Sequence, residues 1–236
     1  MSGLGLVRSG CGGVAVTLGS AELLLRASGV LWLGRARTMV AADLHLEKGS
    51  AYARKGQMLP PYDTADTLGR LAAEVERLDP AVVVLLGDSF HDGEGEARMA
   101  ERDAERLTAL ATSRRLVWVV GNHDAEGPIR LPGEVVEDVR IEGVDFRHEP
   151  LAGPRDGEAA GHLHPCLKIT GRGGSVRRRC FVTDGARIVL PAFGAYAGGL
   201  NVRDPAFGQL FARAPLAVAL GRDRAQPIGW DMLVAD

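Results

Sequence analysis

Six histidines are all that this 236-residue chain contains, and all six fall in five short polar clusters. Ala42 leads into Asp43-Leu44-His45. Leu86 leads into Gly87-Asp88-Ser89-Phe90-His91, and Val120 into Gly121-Asn122-His123-Asp124. Arg147-His148-Glu149 and Gly161-His162-Leu163-His164 follow. A single histidine is more often an ordinary hydrogen-bonded residue than a ligand. The ordered set of Asp-x-His, Gly-Asp-x-x-His, Gly-Asn-His-Asp, His and Gly-His-x-His outweighs that reading. Carboxylate, imidazole and amide oxygen together bind divalent cations, and the mixture suits Mn, Fe, Zn or Ni better than a soft thiolate site does. Cys166, two residues past His164, reads as packing.

The elements between the clusters explain how they could meet. Met39 to Ala42, Ala81 to Leu86 and Leu116 to Val120 are continuous apolar runs, the pattern of parallel strands buried on both faces. A helix is expected over about 64 to 78, with Leu68, Leu71, Ala72, Val75 and Leu78 on one face, Asp63 as its cap and Pro80 just past its end. A second is expected over about 96 to 111, opened by Glu94 and Glu96. In such β-α-β sheets, ligands bind beyond the carboxyl ends of the strands, so three clusters at three strand ends share one crevice. Before residue 40, Val14, Val16 and Leu18 alternate with small or polar residues, and Leu23 to Leu25 and Val30 to Leu33 follow; these read as antiparallel edge strands. Beyond about 135 the helical signal fades and short strands resume between glycines. The whole predicts one α/β domain, residues 1–236: two mixed sheets face to face with helices outside, a four-layer α/β/β/α sandwich.

Composition excludes several classes. Hydrophobic residues make up 46% and charged residues 25%, ordinary globular values, and the net charge of -2 recruits no polyanion in bulk. Any nucleic-acid affinity must come from a local patch. Cys11, Cys166 and Cys180 form no CxxC pair and leave one over, which argues against a disulfide framework and for a reducing compartment. Residues 1–35 hold no apolar stretch of signal or membrane-spanning length. A cytoplasmic protein without membrane contact is expected.

In this order, the five clusters resemble the calcineurin-like metallophosphoesterase superfamily over residues 38 to about 165. More narrowly, Asp43-Leu44-His45-Leu46-Glu47-Lys48-Gly49, Gly87-Asp88-Ser89-Phe90-His91-Asp92 and the stretch Pro191 to Val202 resemble the bacterial ligase-associated metallophosphoesterases, described as DNA-damage-response endonucleases. The resemblance implies that Asp43, His45 and His164 bind a first metal, that Asn122, His148 and His162 bind a second, and that Asp88 bridges them. It implies that His123 faces the scissile phosphate with Asp124 steering its imidazole, and that His91 is a pocket residue. Two divalent cations, Mn2+ first among the candidates, would outweigh the charges of Asp43 and Asp88, attract a phosphate and acidify a water.

Three features invite a nucleic-acid reading: Arg177-Arg178-Arg179, Arg54-Lys55 just past the first cluster, and Phe193 with Tyr196 in a glycine-rich stretch that could stack on a base. Each has a plainer alternative as solvated face or loop anchor. The leading expectation is a manganese-dependent phosphodiesterase or endonuclease acting on single-stranded DNA in repair, working beside a DNA ligase and a helicase. The rivals are a phosphomonoesterase or small-molecule phosphodiesterase on the same site, and a non-catalytic scaffold.

Overall fold

The computed structural model describes residues 7–236; residues 1–6 of the expected domain lie outside that range. In chain order the strands are β1 (Val7–Arg8), β2 (Val14–Leu18), β3 (Ala21–Leu25), β4 (Leu31–Leu33), β5 (Thr38–Ala42), β6 (Val82–Leu86), β7 (Arg115–Val119), β8 (Glu134–Val136), β9 (Asp138–Ile141), β10 (Val144–Arg147), β11 (Glu158–Ala160), β12 (Pro165–Gly171), β13 (Gly174–Thr183), β14 (Arg187–Val189), β15 (Leu200–Asn201), β16 (Leu216–Leu220) and β17 (Ala225–Ile228). The helices are α1 (Lys48–Arg54), α2 (Asp63–Leu78), α3 (Gly95–Arg98), α4 (Glu101–Thr112) and α5 (Pro205–Gly208).

β1 to β8 form one sheet in chain order, antiparallel from β1 to β5 and parallel from β5 to β8. The remaining strands form the second sheet, ordered β15-β12-β13-β14-β11-β10-β9, with β16 on β13 and β17 on β16. The period-two alternation of strand side chains sorts the apolar residues into three layers. Val40 and Ala42 of β5, Val84 and Leu86 of β6, and Phe146, Phe181 and Ile188 of the second sheet fill the space between the sheets. Met39, Ala41, Val83 and Leu85 turn the other way, against Leu68, Leu71 and Val75 of α2 and Leu107 of α4. Cys180 and Val182 of β13 face Phe207 and Leu210 on the outside of the second sheet.

Thus the four-layer sandwich is present, with an uneven outer wall. The first sheet carries full helices; the second carries only four-residue α5 and a 3-10 turn at Trp230–Met232. Locally, α2 ends at Leu78 as expected but starts one residue early, so Asp63 lies inside the helix and does not cap it: its Oδ2 accepts the Gly49 N–H at 2.9 Å and ties α2 to α1. The expected second helix is broken, because Met99 and Ala100 are extended between α3 and α4. The short helix α1 had no sequence counterpart. Among the described residues no helix is long and apolar enough to cross a membrane.

Strand register sets the site. Ala42, Leu86 and Val119 lie level across β5, β6 and β7, so the segments bearing Asp43, Asp88 and Asn122 leave the sheet side by side. In the second sheet Arg147 pairs with Ala160, and Gly161 N–H donates to His148 O at 2.9 Å. The two sheets are joined at this end: Ala42 bridges Ala192, and the Phe193 and Gly194 N–H groups donate to Ala42 O and Asp43 O.

Candidate metal centre

Five strand ends meet here, and their backbones are forced to turn sharply. Asp43, His45, Asp88, His162 and His164 all have positive φ, between 44° and 67°. A side chain in that region costs roughly 1 kcal/mol or more, and such strain collects where a site needs particular side-chain directions. Two glycines make room. A Cβ on Gly121 would lie 2.2 Å from Asp88 Oδ1, and one on Gly161 would lie 2.5 Å from Asp43 Oδ2. The glycine preceding Asn122 and the one preceding His162 are therefore demanded by carboxylates from other strands.

The side chains form two donor groups. In the first, His45 Nε2 and His164 Nε2 face each other at 3.2 Å, with Asp43 Oδ1 3.2 Å from His164 Nε2 and Asp88 Oδ2 3.8 Å from His45 Nε2. In the second, Asn122 Oδ1 is 2.8 Å from His148 Nε2 and 3.0 Å from His162 Nδ1, and those two ring nitrogens are 3.2 Å apart. Asp88 Oδ1 is 3.4 Å from His148 Nε2, so the two oxygens of one carboxylate turn toward different groups.

Asp43 and Asp88 are buried, at 0% and 2% exposure, and among the described residues neither pairs with an arginine or lysine. Buried carboxylates without a fixed cation are costly, and imidazole nitrogens facing one another gain nothing unless a proton or a cation lies between them. Burial pushes the His45 imidazole down to about 2, with the charges of His164, His123 and Lys48 adding to it. Burial also lowers His91 and His148. Neutral imidazole is the form that binds metal. The donor set therefore fits divalent cations, and Asp43, His45, Asp88 and His164 are close enough to share one.

A family model for the calcineurin-like phosphoesterases matches residues 36–187. The chain belongs to that family. It is a metal-dependent phosphate-ester hydrolase, and the superfamily read from the clusters and the sandwich fold read from the strand and helix pattern are both confirmed. Among solved structures it is similar to Pseudomonas putida nuclease MPE, at TM-score 0.71 and 27% identity over 92% of this chain and 100% of that one. A phosphoesterase from Escherichia coli, Yfce, is also similar, at TM-score 0.40 and 15% identity over 81% of this chain and 98% of that one. No curated protein matches the chain.

The rim of this candidate site carries the remaining histidines. His123 is exposed; its Nδ1 lies 2.8 Å from His91 O, which leaves Nε2 turned inward, 3.9 Å from Asp88 Oδ2. His91 stacks on His123 at 5.6 Å between ring centroids and lies 5.6 Å from the Tyr52 ring. Asp124 does not steer His123. Its Oδ1 accepts Gly121 N–H at 3.1 Å and its Oδ2 accepts Phe90 N–H at 3.0 Å, so it braces the Asn122 turn against the Asp88 turn. Burial raises its carboxyl to about 6, with the charge of Asp88 adding to the rise.

The expected substrate arginines are mostly occupied. Arg54 pairs with Glu94. Arg177 donates to Gly199 O and lies 3.4 Å from Asp236, and Arg178 donates to the Arg177 carbonyl. Arg179 is half-buried and donates to the carbonyls of Ala192, Phe193 and Gly194, which makes it a brace. Phe193 is buried in the helix-side core and offers no ring to a base; the Tyr196 hydroxyl donates to Pro60 O at 3.0 Å. Sequence reasoning missed Lys48, whose charge depresses both His45 and His91 and which lies 5.9 Å from the Tyr52 ring. Its signal was rarity: the chain has three lysines, and Lys48 follows the first cluster directly. Glu47 was missed too; it takes hydrogen bonds from Thr64 and Ser50 and pins α1 to α2 behind His45.

Proposed function

We propose that the chain is a two-metal phosphodiesterase that cuts nucleic acid, single-stranded DNA in preference to duplex. The observation that carries this reading is the Asp88 carboxylate, with one oxygen turned to each of two donor groups. Asp43, His45 and His164 would hold one cation, Asn122, His148 and His162 the other, and Asp88 both. The oxygen and imidazole donors suit Mn2+. Two such cations supply charge to bind a phosphate and acidify a water for in-line attack.

The chain's own groups then act at stated atoms. His123 Nε2 faces the centre because Nδ1 is held by the His91 carbonyl; a proton on Nε2 passes to the leaving ester oxygen as the phosphorus–oxygen bond breaks. Lys48, at the rim, attracts the phosphate. The diester class is favoured by the similarity to a protein named a nuclease over nearly the full length of both chains. A single strand can bend a phosphate into a recessed crevice, and a stiff duplex cannot do so as easily. The resemblance of the flanking motifs to the ligase-associated group supports a place in DNA repair beside a ligase and a helicase.

The test is a rate comparison with Mn2+ present. A chromogenic diester should be hydrolysed faster than the matching monoester, and single-stranded DNA cut faster than duplex. A faster monoester, with single-stranded DNA left intact, overturns the nuclease reading and leaves a phosphomonoesterase.

A further inference from the structure

A second concentration of positive charge lies away from the metal centre. The turn of residues 9–13, the turn of residues 26–28 and the β16–β17 hairpin surround two adjoining depressions of about 210 and 220 Å3 that share Gly13. Arg8, Arg26, Arg77, Arg222 and Arg224 line them. The acids there are Glu74, which is committed to Arg26, and Asp223. Among the described residues, Arg8, Arg77, Arg222 and Arg224 make no ion pair and no side-chain hydrogen bond. Five guanidiniums against two carboxylates leave a local surplus of three positive charges on a chain whose net charge is -2.

Its position relates it to the site. Val14 pairs with Leu25, Leu25 with Leu31, and Leu31 with Val40. The Gly13 and Arg26 end of β2 and β3 is therefore level with the carboxyl end of β5, which delivers Asp43. Three strand steps at about 4.8 Å each put β2 some 14 Å across the sheet from β5. Unpaired arginine forks bind phosphate oxygens in two-pronged fashion, and a polyanion exchanges its counterions for them.

We infer that these two depressions form a backbone-phosphate site for the strand whose scissile phosphate sits in the metal centre, a few nucleotides away. This rests on the nucleic-acid reading above. The test uses the full-length Mn2+ enzyme, its Arg222→Ala/Arg224→Ala variant and the charge reversal Arg222→Glu/Arg224→Glu. Substrates are a long single-stranded oligonucleotide, a dinucleotide and a small chromogenic diester. The expected result is a KM for the long strand raised on the order of tenfold in the alanine variant and more in the reversal, with kcat unchanged. The log–log salt dependence of binding should fall by about 1.4, at about 0.7 per lost contact. Dinucleotide and chromogenic rates should not change, which also shows that the variants fold. Wild-type KM and salt dependence on the long strand in both variants overturn the site alone. Failure of the wild-type enzyme to bind or cut the long strand, with chromogenic hydrolysis intact, overturns the nuclease reading and this site with it.

Discussion

The two sheets deliver candidate metal ligands to one centre by different means. The helix-backed sheet does it with three parallel strands, each buried on both faces, whose ends stand level at Ala42, Leu86 and Val119. The second sheet does it with short pieces: three-residue β11, then a turn in which His162 and His164 both take positive φ before β12 begins. Outside the first sheet lie α2 and α4; outside the second lie one turn of α5 and a 3-10 turn. Five-residue strands packed on both faces place Asp43, Asp88 and Asn122 by register. The second sheet places His148, His162 and His164 by contact with that first set: His162 N–H on Asp43, and His148 against Asn122. The centre is thus complete only where the sheets close on each other.

The largest expected effect separates a chemical role from a ligand role on the first sheet. His123→Ala should lower turnover about a hundred- to ten-thousandfold while metal content, read by elemental analysis, stays at the wild-type level. Loss of metal in that variant would place His123 among the ligands.

One glycine from each sheet tests whether both are needed. Gly121→Ala drives a methyl toward Asp88 and Gly161→Ala drives one toward Asp43. A carboxylate displaced by about 1 Å can cost roughly a hundredfold, so both variants should lose about that much on a chromogenic diester. If Gly161→Ala is as active as wild type, the second sheet does not complete the centre as described.

Legibility in the sequence follows the same division. The apolar runs of β5, β6 and β7 are unambiguous because both faces are buried, and the polar clusters at their ends are conspicuous for the same reason. Beyond residue 135 the strands β9, β10, β11 and β14 are only three or four residues long, so the pairing order was illegible, and His148 was assigned only through the resemblance. The structure puts its Nε2 beside both Asn122 and Asp88. Asp124 misled because an acid next to a histidine in sequence need not face it: after Asn122 the chain turns, and the carboxylate points back to Gly121 and Phe90. Phe193 misled because a glycine-rich stretch reads as exposed loop, although here it crosses between the sheets. The break at Met99 and Ala100 had no glycine or proline to announce it.

Smaller effects sharpen the comparison. Asp124→Ala leaves two backbone N–H groups without partners, at about 1–3 kcal/mol, so thermal stability should fall. Asp124→Asn keeps one acceptor and should recover part of that loss; equal melting temperatures for the two would remove the brace. Smallest of all, Arg177→Ala with Arg178→Ala should change cutting of single-stranded DNA by less than about threefold, since exposed pairs contribute about 0–1 kcal/mol and Arg177 is already held by Gly199 and Asp236. A tenfold loss there would move the strand's path onto β13.

The central claim is that one carboxylate joins the two donor groups. Its most direct test is the metal stoichiometry of purified wild-type and Asp88→Ala protein, loaded with Mn2+ and measured by elemental analysis, with circular dichroism to confirm that both are folded. The predicted result is two equivalents in the wild type and one or none in the variant, with hydrolysis abolished. Two full equivalents in folded Asp88→Ala would contradict it.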